Sequence, residues 1–94
     1  MINPMERNEI TDHIEEYFPH DVGNILLADG FEDAFVGVIQ SMGSMPKATY
    51  NYDICIEILM EDMSYEEAVE FFEFNVTGAY VGEHTPAFLT PIRK

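Results

Sequence analysis

Three histidines, one cysteine and eighteen carboxylates are the side chains through which this sequence could do chemistry. Histidine comes first because unperturbed imidazole titrates near neutrality. Of His13, His20 and His84, the last stands in Gly82-Glu83-His84-Thr85-Pro86, where a loop after a helix can set an imidazole beside a carboxylate. A small enzyme working through His84 and Glu83 is the catalytic alternative. The commoner role for such a residue is a plain loop histidine, and no serine, cysteine or second histidine stands at a recognisable catalytic offset. No triad can be assembled, and the chain is expected not to be an enzyme. Cys55 lies among helical apolar residues, where a lone thiol is more often a small buried hydrophobe than a nucleophile, and one cysteine excludes an internal disulfide.

Metal and cofactor chemistry find no motif. There is no His-Glu-x-x-His, no Glu-x-x-His and no calcium loop of alternating acids around a glycine, so hard cations are expected to bind weakly at most. Gly37 and Gly43 lack the spacing and the lysine of a phosphate loop. No cofactor and no metal are expected.

The carboxylates themselves remain. Four Lys and Arg against eighteen Asp and Glu give 4 − 18 = −14, and between Asn8 and Ile92 the one cation is Lys47. Phosphate affinity depends on Lys and Arg, so direct binding to nucleic acid is not expected. Two runs place acids at helical spacing. Asp53, Glu57 and Glu61 form one ridge; Glu66, Glu70 and Glu73 form another. Side chains four apart on a helix stand about 6 Å apart, a spacing close enough to imitate a phosphate backbone. The ordinary use of helical charge is a solvated face kept for solubility, but such a face pairs opposite charges at i, i+4, whereas these ridges repel themselves. The one-sided pattern favours a basic protein partner, a host nucleic-acid-binding enzyme being the sharpest case.

The elements that would hold these ridges can be read from periodicity. Asn3-Pro4 offers a cap and a first-turn proline for a helix over 4–18, with Ile10, Ile14, Tyr17 and Phe18 on its apolar side. Asp21 is expected to cap a short helix through Val22, Ile25 and Leu26, ending at Gly30. Residues 31–42 fit either a helix or a strand; Phe35-Val36-Gly37-Val38-Ile39 favours the strand, with Ala48-Thr49-Tyr50 returning after Gly43, Ser44 and Pro46 to make a hairpin. From Asp53 to Glu61 a helix sets its acids on one side and Ile54, Cys55, Ile56, Ile58, Leu59 and Met60 around the rest, which makes it the most buried helix expected. Ser64-Tyr65-Glu66-Glu67 is a capping box that starts the next helix at Tyr65, with Ala68, Val69, Phe72, Val76 and Ala79 inward. Pro86-Ala87-Phe88-Leu89-Thr90 reads as a closing strand at an edge. Ile58, Leu59, Val69 and Phe72 are the expected core.

The fold class expected is therefore α+β: about three helices on a short antiparallel sheet, the hairpin 34–51 plus a C-terminal strand, in one domain over 1–94. Tyr50-Asn51-Tyr52-Asp53-Ile54-Cys55-Ile56-Glu57-Ile58-Leu59-Met60, Met63-Ser64-Tyr65-Glu66-Glu67-Ala68, Phe72-Glu73-Phe74-Asn75-Val76-Thr77-Gly78-Ala79-Tyr80-Val81-Gly82-Glu83 and Thr85-Pro86 together resemble a group of small phage and bacterial proteins that carries no agreed activity. The resemblance spans about residues 34–89. It implies a phage or prophage setting and a strand over 34–41, and it leaves residues 1–30 as a variable helical part. No basic-then-apolar leader and no run of the roughly 20 apolar residues needed for a membrane span are visible, so a cytoplasmic location without membrane partner is expected. The function expected is that of an accessory protein that binds a basic partner, blocking a host nucleic-acid enzyme or defence system by mimicry. A self-associating assembly module, using Phe71, Phe74, Tyr80 and Phe88 as an exposed apolar patch, is the rival.

Overall fold

A computed structural model describes residues 6–77 and 82–92. Helix α1 (Arg7–Tyr17) is followed by strands β1 (Phe35–Ile39) and β2 (Lys47–Asn51), helices α2 (Tyr52–Leu59) and α3 (Tyr65–Phe72), and strand β3 (Ala87–Leu89). The sheet order is β1-β2-β3. The α+β class read from the sequence is the one observed.

The hairpin forms where strand formers outweigh the helical spacing. β1 and β2 pair antiparallel, but Phe35 faces Tyr50 while Gly37 faces Thr49, so Val36 is an extra residue bulged out of the ladder and exposed. Ser44 N–H donates to Ser41 at 3.0 Å, and Gly43 sits between them at φ +79°, the left-handed position that a turn of type II character reserves for glycine. On β2 three consecutive residues, Ala48, Thr49 and Tyr50, are buried. Successive strand side chains point to opposite faces, so the central strand is covered on both.

β3 corrects the expected antiparallel sheet: it runs parallel to β2, with Thr49 opposite Ala87 and Asn51 opposite Leu89. The pair α2–α3 supplies the crossover that parallel neighbours require. Alternation of side chains carries no sign of strand direction, and so the sequence pattern could not reveal it.

α2 starts directly from β2. Asn51 accepts from Ile54 N–H at 3.2 Å and caps the helix one residue earlier than expected. Cys55 and Ile56 are buried; Ile54, Ile58 and Leu59 are half-buried against the core, and Met60 is exposed beyond the helix end. α2 is thus less enclosed than its apolar sequence suggests. α3 opens with the capping box foreseen: Glu67 N–H donates to Ser64 Oγ at 3.2 Å, and Ser64 N–H donates to the Glu67 carboxylate at 3.0 Å. Ala68 and Phe72 are buried, and Val69 is half-buried. After Phe72 the helix widens into a π turn, Glu73–Thr77, in which the Asn75 amide donates to the Phe71 carbonyl at 3.1 Å. Val76 still reaches the core, while expected core residue Ala79 lies outside the described residues.

α1 contributes Ile10 and Ile14 to the same core. Its cap is Glu6, whose N–H donates to Glu9; the Asn3-Pro4 start lies outside the described residues. The helix expected from Asp21 is absent. Residues 19–24 form turns in which Asp21 O accepts from Asn24 and Ile25. A lone helical turn is costly to nucleate, and Ala28 N–H donates instead to the buried Tyr50 hydroxyl at 2.9 Å. That bond ties the α1–β1 loop to the central strand across 22 residues of sequence. At the centre, Phe72 meets Phe31, Tyr52 and Phe88 edge to face.

Candidate partner-binding face

The two acidic ridges lie on the paired helices α2 and α3. On α2, Asp53 is half-buried and Glu57 exposed, one helical turn apart. Glu61 leaves the ridge: α2 ends at Leu59, and Glu61 is exposed in the following turn, its N–H donating to Ile58 at 3.3 Å. The expected third member lies past the helix end: Met60 N–H still donates to the Ile56 carbonyl four residues back, and Glu61 is the first residue whose N–H tightens onto a carbonyl three back. On α3, Glu66 and Glu70 are exposed one turn apart, and Glu73 is exposed at the first position of the π turn.

Tyr65 joins the ridges. Its exposed ring lines a hollow of about 470 Å³ together with Tyr52, Asp53 and Glu57, and another of about 590 Å³ together with Glu66, Glu70 and Glu73. Tyr52 lies where the ridges meet: its hydroxyl pKa is raised by desolvation first and then by the neighbouring Tyr65, Glu73 and Asp53. Carboxylates of both helices therefore act on one ring, and Asp53, Glu57, Glu66, Glu70 and Glu73 belong to one continuous surface. Neither tyrosine stood out in the sequence as part of this surface. The signal was there, since Tyr65 is the first residue after the Ser64 cap and Glu66 follows it.

Glu67 stands apart chemically. Hydrogen bonds from the Ser64 backbone and then from its side chain hold the carboxyl below the usual range, so Glu67 keeps its charge in mild acid. Arg7 and Lys47 are the cations among the described residues; Arg7 pairs with Asp29 beside α1, and Lys47 lies on β2. Neither lines either hollow.

The other candidate sites behave differently. His84 is half-buried, and its Nδ1–H donates to the Pro46 carbonyl at 2.9 Å, pinning the 82–86 loop to the end of the hairpin; Glu83 is exposed. Cys55 is fully buried, and desolvation pushes its thiol up to about 12, which makes it a poor nucleophile. Among the described residues no three of His, Cys, Asp and Glu converge in a way that could hold a metal ion, and no helix is long and apolar enough to cross a membrane. The aromatic patch divides. Phe71 and Phe74 are exposed, Phe88 packs between Tyr50 and Phe72, and Tyr80 lies outside the described residues. Phe88 sits on a strand paired to β2, so its face is set by a register that no local pattern encodes. The chain matches no protein-family model, no curated protein and no solved structure, so this surface is read on its own chemistry.

Proposed function

We propose that this chain is a non-enzymatic accessory protein of phage type that acts in the cytoplasm, binding a basic protein partner through the carboxylates of α2 and α3. In its sharpest form it imitates nucleic acid and occupies the binding groove of a host nucleic-acid enzyme or defence protein. One observation carries this: Asp53, Glu57, Glu66, Glu70 and Glu73, from α2, α3 and the π turn after it, line adjoining hollows around Tyr52 and Tyr65. Repulsion along each ridge costs some tenths of a kcal/mol per i, i+4 pair. A face kept only for solubility would be relieved of that cost by a few lysines, which would serve hydration equally well.

The test is a fourfold amide variant, Asp53→Asn, Glu57→Gln, Glu66→Gln and Glu70→Gln, compared with the parent for retention of host nucleic-acid enzymes at low salt. The amides keep size and remove charge. Retention should fall sharply in the variant while far-UV circular dichroism stays unchanged, and association rates of the parent should drop with added salt. A variant that retains the same proteins as strongly as the parent refutes the proposal. Self-association is the second reading, favoured by exposed Phe71 and Phe74; light scattering that shows a dimer abolished by Phe74→Ser would put it first.

A further inference from the structure

The outward side of α3 is not uniformly acidic. Met63, Glu66, Glu67, Glu70, Phe71 and Phe74 line an open groove of about 520 Å³ on the side of the helix away from the buried Ala68 and Phe72. Phe74 is 78% exposed and Phe71 42%. With Asn75 the groove has seven lining residues, three apolar, three carboxylate and one amide; Met63 stands just before the Ser64 cap and Phe74 in the π turn, so the apolar side chains flank the acids at both ends of α3. Phosphate mimicry is served by the carboxylates; the exposed rings add apolar surface that a partner's apolar side chains would bury more fully than Lys or Arg lying over them.

We infer that this groove takes a basic amphipathic helix: a partner segment whose apolar side chains cover Phe71 and Phe74 while flanking Lys or Arg meet Glu66, Glu67 and Glu70. The inference rests on the acidic-face reading above and narrows its partner from any basic protein to this class. Charge complementarity selects the occupant. A helix lying along α3 would bury the exposed rings as anchors and leave the ion pairs at the rim, which is the usual layout of helix-in-groove recognition. A second copy of this chain fits badly. Across a two-fold axis the same carboxylates would face one another, on chains that each carry −14.

The experiment uses the whole chain and three peptides at 0.15 M salt, a concentration at which charges more than roughly 8 Å apart are screened. The first has leucines on one helical face and lysines on the other; the second is its scrambled form; the third is oligolysine of equal charge. Titration calorimetry should show the amphipathic peptide binding at least about tenfold more tightly than the scrambled one. The double variant Phe71→Ser, Phe74→Ser should erase that preference and leave oligolysine binding unchanged, with its fold verified by circular dichroism. Equal affinity for the amphipathic and scrambled peptides overturns the inference. So does a double variant that keeps the preference, or a parent dimer that the double variant dissolves, which would make the occupant a second copy. Failure here, with host proteins still lost by the fourfold amide variant, removes the helical partner and spares the acidic-face proposal. Retention of those proteins by the amide variant removes both.

Discussion

Phe72→Ala tests the core on which both helices of the acidic face depend. Phe72 has no exposed surface, and its ring meets Phe31, Tyr52 and Phe88 at centroid distances of 5.7, 5.4 and 4.9 Å, each edge to face. Removing a buried phenylalanine costs about 3–5 kcal/mol, through lost transfer energy plus the cavity left behind. Three aromatic neighbours from separate elements cannot all collapse into that space, which argues for the upper half of the range. A chain of 94 residues has a total stability of about 5–14 kcal/mol, so a loss of about 4–5 kcal/mol removes more than a quarter of it. At about 4–8 °C per kcal/mol for a domain of this size, the melting temperature should fall by at least about 16 °C. The assay is thermal and urea unfolding followed by far-UV circular dichroism and tyrosine fluorescence. Phe74→Ala is the internal control: two positions along and largely exposed, it should stay within about 0.5 kcal/mol of the parent. If Phe72→Ala melts within a degree or two of the parent, or if Phe74→Ala proves the more damaging change, the assignment of the inward and outward sides of α3 is wrong.

Ser64→Ala should cost about 1 kcal/mol, because it removes the acceptor for Glu67 N–H; an unchanged urea midpoint would mean the cap contributes nothing. Glu67 has a folded pKa below its unfolded value, so its contribution is present in full above the unfolded pKa and is lost as pH falls through the folded one; Glu67→Gln should flatten the acid limb of stability against pH below about pH 4.5. Sodium chloride at about 0.15 M should raise the melting temperature by screening repulsion within the ridges, and a steady fall would show that attractive pairs dominate. Cys55 should react with a thiol reagent at neutral pH only as fast as the chain unfolds, since the native thiol is buried and titrates near 12; rapid labelling of the native protein would contradict its placement.

Local signals were legible where one residue type decides the geometry. The Ser64 box, the inward Ala68 and Phe72, the spacing of Ile10 and Ile14 and the turn at Gly43 all follow from rules that act within a few residues. What the sequence hid is set over longer range. Tyr50 is buried because its hydroxyl finds Ala28, 22 residues earlier, and that same bond helps to keep residues 21–26 out of a helix. β3 is parallel because two helices intervene before it, and strand alternation is blind to direction. Ile58, Leu59 and Val69, expected as core from the helical wheels, only border it; the fully enclosed positions on those helices are Cys55, Ala68 and Phe72, the first two being small enough to let the elements approach closely.

For the binding face the wheel was informative about charge and silent about context. It placed Asp53 with Glu57 and Glu66 with Glu70, but it extended the first ridge to Glu61 because a 100° rule continues until something stops it, and the turn at residues 60–62 is what stops it. It could not show that Tyr52 and Tyr65 join the two ridges, since that juxtaposition depends on how α2 packs against α3. A helix that buries one apolar side and needs solubility on the other is expected to carry charge throughout its outer face. α3 carries Glu66, Glu67 and Glu70 there, and yet Phe71, and Phe74 in the π turn that follows, stand exposed beside them. Solubility accounts for the acids and is opposed by the rings; a bare phosphate mimic likewise needs the acids alone. A partner that is both basic and apolar uses the two kinds of side chain together, and for that reason the effect of Phe71→Ser and Phe74→Ser on peptide preference, rather than the loss of charge, discriminates among the readings.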